Sequence, residues 1–369
     1  MISLQGRVDN YIILDNERYS YFAGNNYLGL AGHPDVIAAA INALQRYGAS
    51  FSASRLTTGS SEIHKELEKL LSEFKGKQDA VVFASGYMGN SLLLKILQER
   101  YEIILADSFS HTSITDAVPR NKQLILYNHC DPVSLEEHLI NNPDKPALII
   151  TDGIFALTGE IAPLDKLYAI SKKYNAQLVV DDAHATGVLG AEGRGTPEYF
   201  NLQDVKDIFQ TDTLSKALGS YGGYISGGTS LINQIRTEST FYGASTSLPP
   251  PVVAAACESV RIVMNHPELR AGLKKNADWV RSGVKELGFI TNSDPTPVIP
   301  VFFDKSESAE GISHYLLKNH IIAPFVDYPV KTGKFVLRIT VSSNHDEGQI
   351  ENLLIFLKKW RDKNGTGNY

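Results

Sequence analysis

The sequence predicts an α/β protein in which a large, mostly parallel β-sheet lies between helices and a small C-terminal α+β domain follows. Two observations support this class. Short apolar runs alternate with amphipathic helical stretches from about residue 80 to 210, as in parallel sheets whose strands are joined by crossover helices. Past the proline run at 249–251 this alternation stops. We expect an N-terminal arm, a large domain and a small domain, at 1–45, 46–264 and 265–369.

The individual elements follow from the spacing of apolar residues. Six strand candidates lie in the large domain, at 80–83, 103–106, 124–127, 147–151, 178–182 and 207–210. Helices are expected at about 34–47 and at 62–74, where Ile63, Leu67 and Phe74 share one helical face. After the proline run we expect one long helical region, then two strands, at 252–287, 298–303 and 335–341.

Composition excludes several classes of protein. The formal net charge of −6 disfavours a nucleic-acid binder, which needs a basic surface to neutralise phosphates. Cys130 and Cys257 stand alone, without the spacing of a zinc site or a disulfide framework. No secretory signal begins the chain, and no run of about 18 apolar residues would span a membrane. These features predict a cytoplasmic protein with no membrane span.

The turn at 84–90 is the first candidate functional feature. Its sequence, ASGYMGN, joins a strand to a helix, with Gly86 and Tyr87 at its centre. Such a turn can present free backbone N–H groups and the positive end of the helix dipole to an anion. An ordinary tight connection has the same sequence pattern, and for this segment alone that interpretation is the better one.

A pair of acids and a histidine form the second feature. Asp181, Asp182 and His184 directly follow an apolar strand, where an unpaired carboxylate would be costly. Asp181 facing a cationic ring nitrogen would gain about 4 kcal/mol at 4 Å and an effective dielectric near 20. That attraction would keep a pyridine nitrogen protonated at neutral pH. Alternatively, Asp182 or His184 caps a loop or the following helix.

The third feature is Lys216, in a turn of small residues at the end of another strand candidate. A lysine there is well placed to form a Schiff base with an aldehyde if burial keeps its amine partly neutral. A solvent-exposed lysine is the commoner alternative. The order of an anion-binding turn, an acid–histidine pair and a lysine, each after its own strand, favours the functional interpretation.

Six motifs, taken together, resemble the α-oxoamine synthases, a family of fold-type I pyridoxal-phosphate enzymes. They are NNYLGL at 25–30, SHTS at 110–113, DDAH at 181–184, TLSK at 213–216, STSLP at 245–249 and LRIT at 337–340. The resemblance extends from about residue 20 to 360. It implies a homodimer with shared active sites, and pyridoxal 5′-phosphate as the cofactor.

The resemblance also implies a role for each motif residue. Lys216 would form the Schiff base, Asp181 would pair with the pyridine nitrogen, His184 would contact the ring hydroxyl and His111 would stack on the ring. For His111 the alternative is a residue at a helix N-terminus with no ligand. Gly86, Tyr87 and Thr213 would bind the cofactor phosphate. Ser245 and Thr246 would bind the phosphate of the cofactor in the partner subunit. Asn25 and Arg338 would bind the amino-acid carboxylate.

Arg338 has a competing interpretation in the sequence. In FVLRITV, Phe335, Leu337 and Ile339 share one strand face, so Arg338 points away from it. An exposed strand arginine would show the same alternation, and only the family resemblance favours a carboxylate site.

The implied reaction joins an amino acid to an acyl thioester, usually with loss of carbon dioxide. Alanine with a pimeloyl thioester fits slightly better than glycine with an acetyl thioester or serine with a palmitoyl thioester. An aminotransferase is a rival, although many carry an arginine eight positions after the lysine, where this chain has Tyr224. Ala156, at a position where the family usually has serine, also leaves open a catalytically silent cofactor-binding protein.

Overall fold

The structure is a computed structural model that describes residues 3–327 and 333–364. In these ranges the strands are β1 Tyr11–Leu14, β2 Glu17–Tyr21, β3 Asp79–Phe83, β4 Ile103–Asp107, β5 Gln123–Tyr127, β6 Ala147–Asp152, β7 Gln177–Asp181, β8 Ile208–Thr213, β9 Gly223–Gly227, β10 Val298–Phe303, β11 Ile321–Ile322, β12 Phe325–Val326 and β13 Phe335–Thr340.

The α-helices of the same ranges are α1 Pro34–Tyr47, α2 Glu62–Lys75, α3 Tyr87–Leu97, α4 Thr112–Thr115, α5 Pro132–Ile140, α6 Leu164–Lys173, α7 Thr196–Tyr199, α8 Thr229–Glu238, α9 Thr240–Gly243, α10 Pro250–Asn265, α11 Glu268–Glu286, α12 Ser306–Leu317 and α13 Glu347–Asn364. Short 3₁₀ helices occur at Leu30–Gly32 and Gln98–Arg100.

A seven-stranded sheet forms the centre of the fold, in the order β3-β9-β8-β7-β6-β4-β5. The pairs among β8, β7, β6, β4 and β5 are parallel, whereas β9 runs antiparallel to both β3 and β8. The six predicted strands are confirmed within a few residues at their ends. We did not predict β9, because its apolar run is only two residues long, Tyr224 and Ile225, in a strand that begins and ends with glycine.

Both faces of the central sheet are covered, as a parallel sheet requires. Successive residues of β4 belong to different hydrophobic clusters: Ile104 packs with residues of α3 and α8, whereas Leu105 packs with residues of α5 and α6. The same alternation places Val82 of β3 in a third cluster with α2 and α10. This three-layer arrangement confirms the predicted α/β class.

The C-terminal part of the chain forms a separate antiparallel sheet, in the order β10-β13-β12. The predicted strands at 298–303 and 335–341 are confirmed as β10 and β13. The predicted helical region at 252–287 is instead two helices, α10 and α11, separated at His266 and Pro267. Proline lacks the N–H that would continue the hydrogen-bond ladder, which accounts for the break.

The N-terminal segment contains two short strands before helix α1. β1 and β2 form an antiparallel hairpin, and β11 from the C-terminal part pairs with β2 in parallel. Phe22 stacks on His345 with ring centroids 4.2 Å apart, so the segment packs on the C-terminal part. The division at residues 45 and 264 remains a prediction. Within the described ranges, no helix combines the length and the apolar character needed to cross a bilayer.

Candidate active site

The candidate site lies at the carboxyl ends of the parallel strands, where ligands bind in open α/β sheets. Four neighbouring strands end there in polar residues: Asp107 ends β4, Asp152 ends β6, Asp181 ends β7 and Thr213 ends β8. Three of these four residues are acids, so the edge of the sheet concentrates negative charge beside any cation that binds there.

Lys216 follows β8 and is half-buried rather than solvent-exposed. Burial lowers the pKa of its amine to about 8, with the charge of Arg338 acting in the same direction, although the charges of Asp181 and Asp152 oppose the shift. The lysine therefore sits within electrostatic range of two buried acids. A sizeable fraction of its amine is neutral near pH 8, as a Schiff-base lysine requires.

The Asp181 carboxylate is held on both oxygens. Its Oδ2 accepts from Asn90 Nδ2 at 2.7 Å and its Oδ1 accepts from the Ala183 backbone N–H at 3.0 Å. Asn90 also donates to Ser113 Oγ at 3.1 Å and accepts from Thr211 Oγ1 at 2.8 Å. We had not predicted a role for Asn90. Its one signal in the sequence is an amide just before the apolar run of helix α3.

Asp182 belongs to a different, fully buried cluster. Its Oδ2 lies 3.8 Å from Lys75 Nζ and accepts from the Thr196 N–H at the start of α7 and from Gln210 Nε2, each at 3.0 Å. Lys75 Nζ also lies 3.3 Å from Asp212 Oδ1. Burial raises the pKa of Asp182, the charge of Lys75 opposes this and the charge of Asp212 adds to it, so that the pKa is about 6. The structural interpretation of Asp182 is therefore the correct one.

His184 is buried and takes part in a hydrogen-bonded chain that the sequence analysis did not anticipate. Its Nδ1 lies 2.6 Å from Tyr27 Oη, and Tyr27 Oη lies 3.2 Å from Asn25 Oδ1. Burial lowers the pKa of His184 well below its ordinary value, and Lys216 and Arg338 add to this effect. The imidazole is therefore neutral at physiological pH, and its Nε2 takes no part in this chain of hydrogen bonds.

Arg338 completes the same chain from the C-terminal sheet. Its guanidinium donates to Asn25 Oδ1 at 3.0 Å, to the Ala156 carbonyl at 2.7 Å and to Thr340 Oγ1 at 2.8 Å. Arg338 is buried, with a relative exposure of 9%. The alternative of an exposed strand arginine is therefore wrong. No carboxylate pairs with this guanidinium within the residues that the structure describes.

His111 is at the N-cap of α4, where its Nδ1 accepts from the Ser113 N–H at 3.1 Å. Its own backbone N–H donates to Asp152 Oδ2 at 3.0 Å, which ties the residue to the end of β6. Burial lowers the pKa of the imidazole, Asp181 raises it and Lys216 lowers it. His111 therefore caps α4, and its ring lies within electrostatic range of both Asp181 and Lys216. Its stacking on a cofactor ring stays a prediction.

Gly86 and Thr213 form a close contact at the start of α3. A Cβ added at Gly86 would lie 2.8 Å from both Cβ and Oγ1 of Thr213, so only glycine fits. Tyr87 is the first residue of α3, and its backbone N–H donates to Ser85 Oγ at the long distance of 3.3 Å. Thr213 Oγ1 accepts from the Ser215 N–H at 3.1 Å, which shapes the turn before Lys216. The three residues predicted for a phosphate are thus neighbours.

Ser245 and Thr246 lie on a loop that pairs with residues 53–54. Ser54 and Thr246 form an isolated antiparallel bridge, and the Ser247 N–H donates to the Ala53 carbonyl at 3.0 Å. In the described part of the chain, no hydrogen bond joins this loop to the Lys216 group. Their predicted contact with a partner subunit stays a prediction.

Comparison with known proteins places the chain in a family. The sequence family described as aminotransferase class I and II matches residues 20–357. An 8-amino-7-oxononanoate synthase from Lysinibacillus sphaericus is 36% identical, over 95% of this chain and 91% of that protein. 8-Amino-7-oxononanoate synthase 2 from Bacillus subtilis (strain 168) is 38% identical, over 92% and 88%. The chain belongs to the α-oxoamine synthase family.

A solved structure resembles this α-oxoamine synthase along almost its whole length. A serine palmitoyltransferase from S. paucimobilis, solved with a bound PLP–myriocin aldimine, has a TM-score of 0.92. It is 29% identical, and the match covers 98% of this chain and 92% of that one. The fold-type I architecture is thereby confirmed, together with the resemblance first seen in the six motifs.

The Lys75 cluster generates a prediction about stability. Lys75→Met should cost about 3–5 kcal/mol, because it leaves two buried carboxylates without their cation. Asp182 has a raised pKa in the folded state, so its ionised form opposes folding, and the loss should grow as pH rises from about 5 to 8. Urea unfolding at both pH values measures this. The control is Lys69→Met, an exposed lysine on the same helix; equal losses in the two variants would contradict the prediction.

Proposed function

We propose that this chain is a pyridoxal-phosphate-dependent 8-amino-7-oxononanoate synthase, which condenses L-alanine with a pimeloyl thioester and releases carbon dioxide. The observation that carries the proposal is the grouping of Lys216, Asp181 and His184 at the carboxyl ends of the central strands, with the buried guanidinium of Arg338 beside them. Relatives of that name at 36% and 38% identity support the choice of substrates.

The residues present fit the cofactor. The glycine-only contact between Gly86 and Thr213 leaves a narrow cradle at the N-terminus of α3, which suits a phosphate. Asp181 would face the pyridine nitrogen and His184 the ring hydroxyl. When bound, pyridoxal phosphate supplies an aldehyde for amine capture and an electron-accepting ring.

Asp181 would hold the ring nitrogen in its protonated form. Its two hydrogen bonds, from Asn90 and the Ala183 N–H, fix the carboxylate in one orientation before any ligand arrives. Preorganised charge of this kind costs no rearrangement during the reaction. Asn90 is therefore a positioning residue in this proposal.

Lys216 would move the proton at the substrate α-carbon. Its lowered pKa of about 8 suits it to accept a proton and later return one near neutral pH. His111 would lie against the cofactor ring, with its orientation set by the Ser113 and Asp152 contacts. Stacking there would help fix the orientation of the bound cofactor.

Asn25 and Arg338 would bind the amino-acid carboxylate. The guanidinium is buried and has only neutral partners among the described residues, so an incoming carboxylate would supply its missing counter-charge. The Asn25–Tyr27–His184 chain then links the carboxylate site to the histidine at the ring hydroxyl. Tyr27 is the positioning residue in that link. Ala156 stands where the family usually has a serine.

The proposal includes the surroundings of the enzyme. Ser245 and Thr246 would reach the phosphate of a second subunit in a homodimer, because the family's sites are shared between subunits. The acidic net charge argues against a nucleic-acid partner. A bacterial-type biosynthetic enzyme of this kind would act in the cytoplasm, with a large domain at 46–264 and a small domain at 265–369.

A spectroscopic substrate panel tests the function. The visible absorbance band of the purified protein should shift on adding L-alanine and decay only when pimeloyl-CoA follows. Glycine with acetyl-CoA and serine with palmitoyl-CoA are the comparison pairs; the second is favoured by the serine palmitoyltransferase likeness. Faster turnover with either pair would replace the substrate assignment. Turnover of an amino acid with a 2-oxo acid would indicate an aminotransferase instead.

Lys216→Ala should leave a folded protein that lacks the absorbance band at about 420 nm expected of lysine-bound cofactor. The reason is that the half-buried amine after β8 is the proposed attachment point. Borohydride reduction and peptide mapping of the unaltered protein check the assignment. An unchanged spectrum, or an adduct on a different lysine, would rule it out.

Asp181→Asn should retain the cofactor and lose turnover by about a thousandfold, since a neutral amide cannot hold the ring nitrogen protonated. Asp182→Asn is the matched control, because it removes the adjacent carboxylate from the Lys75 cluster. It should lower the melting temperature and leave the absorbance response to alanine in place. Similar kinetic losses in both variants would show that the two acids are not divided in this way.

Arg338→Ala should raise the KM for the amino acid about ten- to hundredfold, the scale of one lost charge-assisted contact. The KM for the acyl thioester should change much less. Arg338→Lys should rescue only in part, because an ammonium group cannot reproduce the planar fork. Arg46→Ala, an exposed arginine, is the control. An unchanged amino-acid KM would place the carboxylate site elsewhere.

A further inference from the structure

A buried ion cluster around His129 lies beside the proposed site and has no part in the roles assigned above. His129 follows β5, with only 14% of its side chain exposed. Its Nδ1 lies 2.8 Å from Asp107 Oδ1 and its Nε2 lies 2.8 Å from Glu160 Oε2. Carboxylates only accept hydrogen bonds, so both ring nitrogens carry protons and the ring is an imidazolium.

The surroundings of the ring favour this charge state. Burial by itself lowers the pKa of His129, but the hydrogen bonds to Asp107, Cys130 and Glu160 raise it to about 11. The same contact lowers the pKa of Glu160. Phe109 stacks on the ring with centroids 4.1 Å apart, and Phe155 meets it edge-on at 4.4 Å. The imidazolium is thus fixed on its edges and on one face.

This arrangement argues against a metal site. Asp107, His129 and Cys130 offer ligand atoms within 4.8 Å of one another. A metal needs a free lone pair on a ring nitrogen, and both nitrogens of His129 already donate to carboxylates. The cluster is a proton-saturated ion pair network rather than a set of open ligands.

One arm of the cluster supports the segment that carries His111. Asp107, at the end of β4, accepts from the Phe109 N–H at 2.8 Å on Oδ1 and from the Cys130 N–H at 2.7 Å on Oδ2. Its carbonyl accepts from the Ser110 N–H at 3.0 Å. The turn from Asp107 to His111 is therefore held at its first residue by the His129 contact.

The other arm supports the loop at 155–160, which touches Arg338. The loop is closed by the Phe155 N–H donating to the Glu160 carbonyl at 2.9 Å and the Gly159 N–H donating to the Phe155 carbonyl at 2.8 Å. The Ala156 carbonyl in this loop accepts from Arg338 Nε at 2.7 Å. Glu160 and Phe155 both contact His129, so the loop is held at both its ends by one ring.

We propose that His129 is a positioning residue that joins the His111 turn to the Arg338-contacting loop and so sets the amino-acid carboxylate site relative to the cofactor-stacking histidine. The inference rests on the proposed function, because it assigns an effect on amino-acid binding. His129 touches neither substrate nor cofactor in this assignment. It acts through Asp107 on one side and through Glu160 on the other.

Two substitutions separate the arms. In His129→Asn the amide nitrogen falls near the former Nδ1 and retains the Asp107 contact, but the Glu160 contact is lost. In His129→Gln the amide nitrogen falls near the former Nε2 and retains the Glu160 contact, but the Asp107 contact is lost. Glu160→Ala removes the second arm alone at a residue with 38% of its side chain exposed, so the fold should tolerate it.

The amino-acid dissociation constant is the first readout, measured by the absorbance response to alanine without acyl thioester. It should rise about three- to thirtyfold in His129→Asn and in Glu160→Ala, and the double variant should be no worse than either. His129→Gln, which breaks the Asp107 arm of the same link, should raise this constant by a similar factor. The KM for the acyl thioester should stay unchanged in all three. Glu136→Ala, which removes a glutamate paired with Lys173, is the control.

Amide hydrogen exchange in the cofactor-free protein is the second readout. Gly159 and Phe155 should exchange faster in His129→Asn and Glu160→Ala, and Phe109 and Ser110 should exchange faster in His129→Gln. Unchanged exchange in all variants, or faster exchange with unchanged amino-acid affinity, would overturn the inference. If the unaltered protein responds to no amino acid, the proposed function fails, while the exchange data still decide whether His129 holds the two segments.

Discussion

The site depends on how this fold accommodates carboxylates at the ends of buried strands. Desolvating a carboxylate is costly unless hydrogen bonds or opposite charges compensate it. Asp181 and Asp182 are neighbours in sequence and meet this cost in opposite ways. The Asp181 carboxylate accepts hydrogen bonds from the Asn90 amide and the Ala183 N–H, whereas Asp182 faces Lys75 in the interior. In the proposed function Asp181 would pair with the cofactor ring, whereas Asp182 belongs to the buried Lys75 cluster.

Three parts of the chain meet at the amino-acid end of the proposed site. The N-terminal segment provides Asn25 and Tyr27, the central sheet provides His184, and the C-terminal sheet provides Arg338. Because one oxygen of Asn25 contacts both Tyr27 and Arg338, a shift of either sheet would disturb the whole hydrogen-bonded chain. The pairing of β2 with β11 and the stacking of Phe22 on His345 hold the N-terminal segment in place for this.

Ala156 stands at a position where the family usually has serine. The Ala156 side chain can offer no hydrogen bond to a ring hydroxyl, but its backbone carbonyl binds Arg338. Tyr27 Oη and His184 Nδ1 form a separate buried hydrogen-bonded pair. The loop that carries Ala156 thus contributes through its backbone. Its position depends on the contacts of Phe155 and Glu160 with His129.

The sequence by itself determined the class of fold, the six strands with clear apolar runs, and the grouping of polar residues at strand ends. It could do so because apolar periodicity is local, and because parallel strands necessarily bring their carboxyl ends to one edge. The family motifs added specific residues, including Lys216 and Arg338. β9 was not predicted because flanking glycines shorten its apolar run. The break at Pro267 shows that one periodic stretch can form two helices.

Only the tertiary structure decided that Asp182 faces Lys75 in the interior, that Arg338 is buried, and which partners surround each group. Asp181 and Asp182 have the same local pattern, and their division follows from the alternation of side chains across a sheet whose faces the chain alone does not identify. Asn90, Tyr27 and His129 were missed for the same reason. Each acts through partners distant in sequence, such as Asp181 for Asn90 and Glu160 for His129. Contacts of that kind arise from packing, which no local pattern encodes.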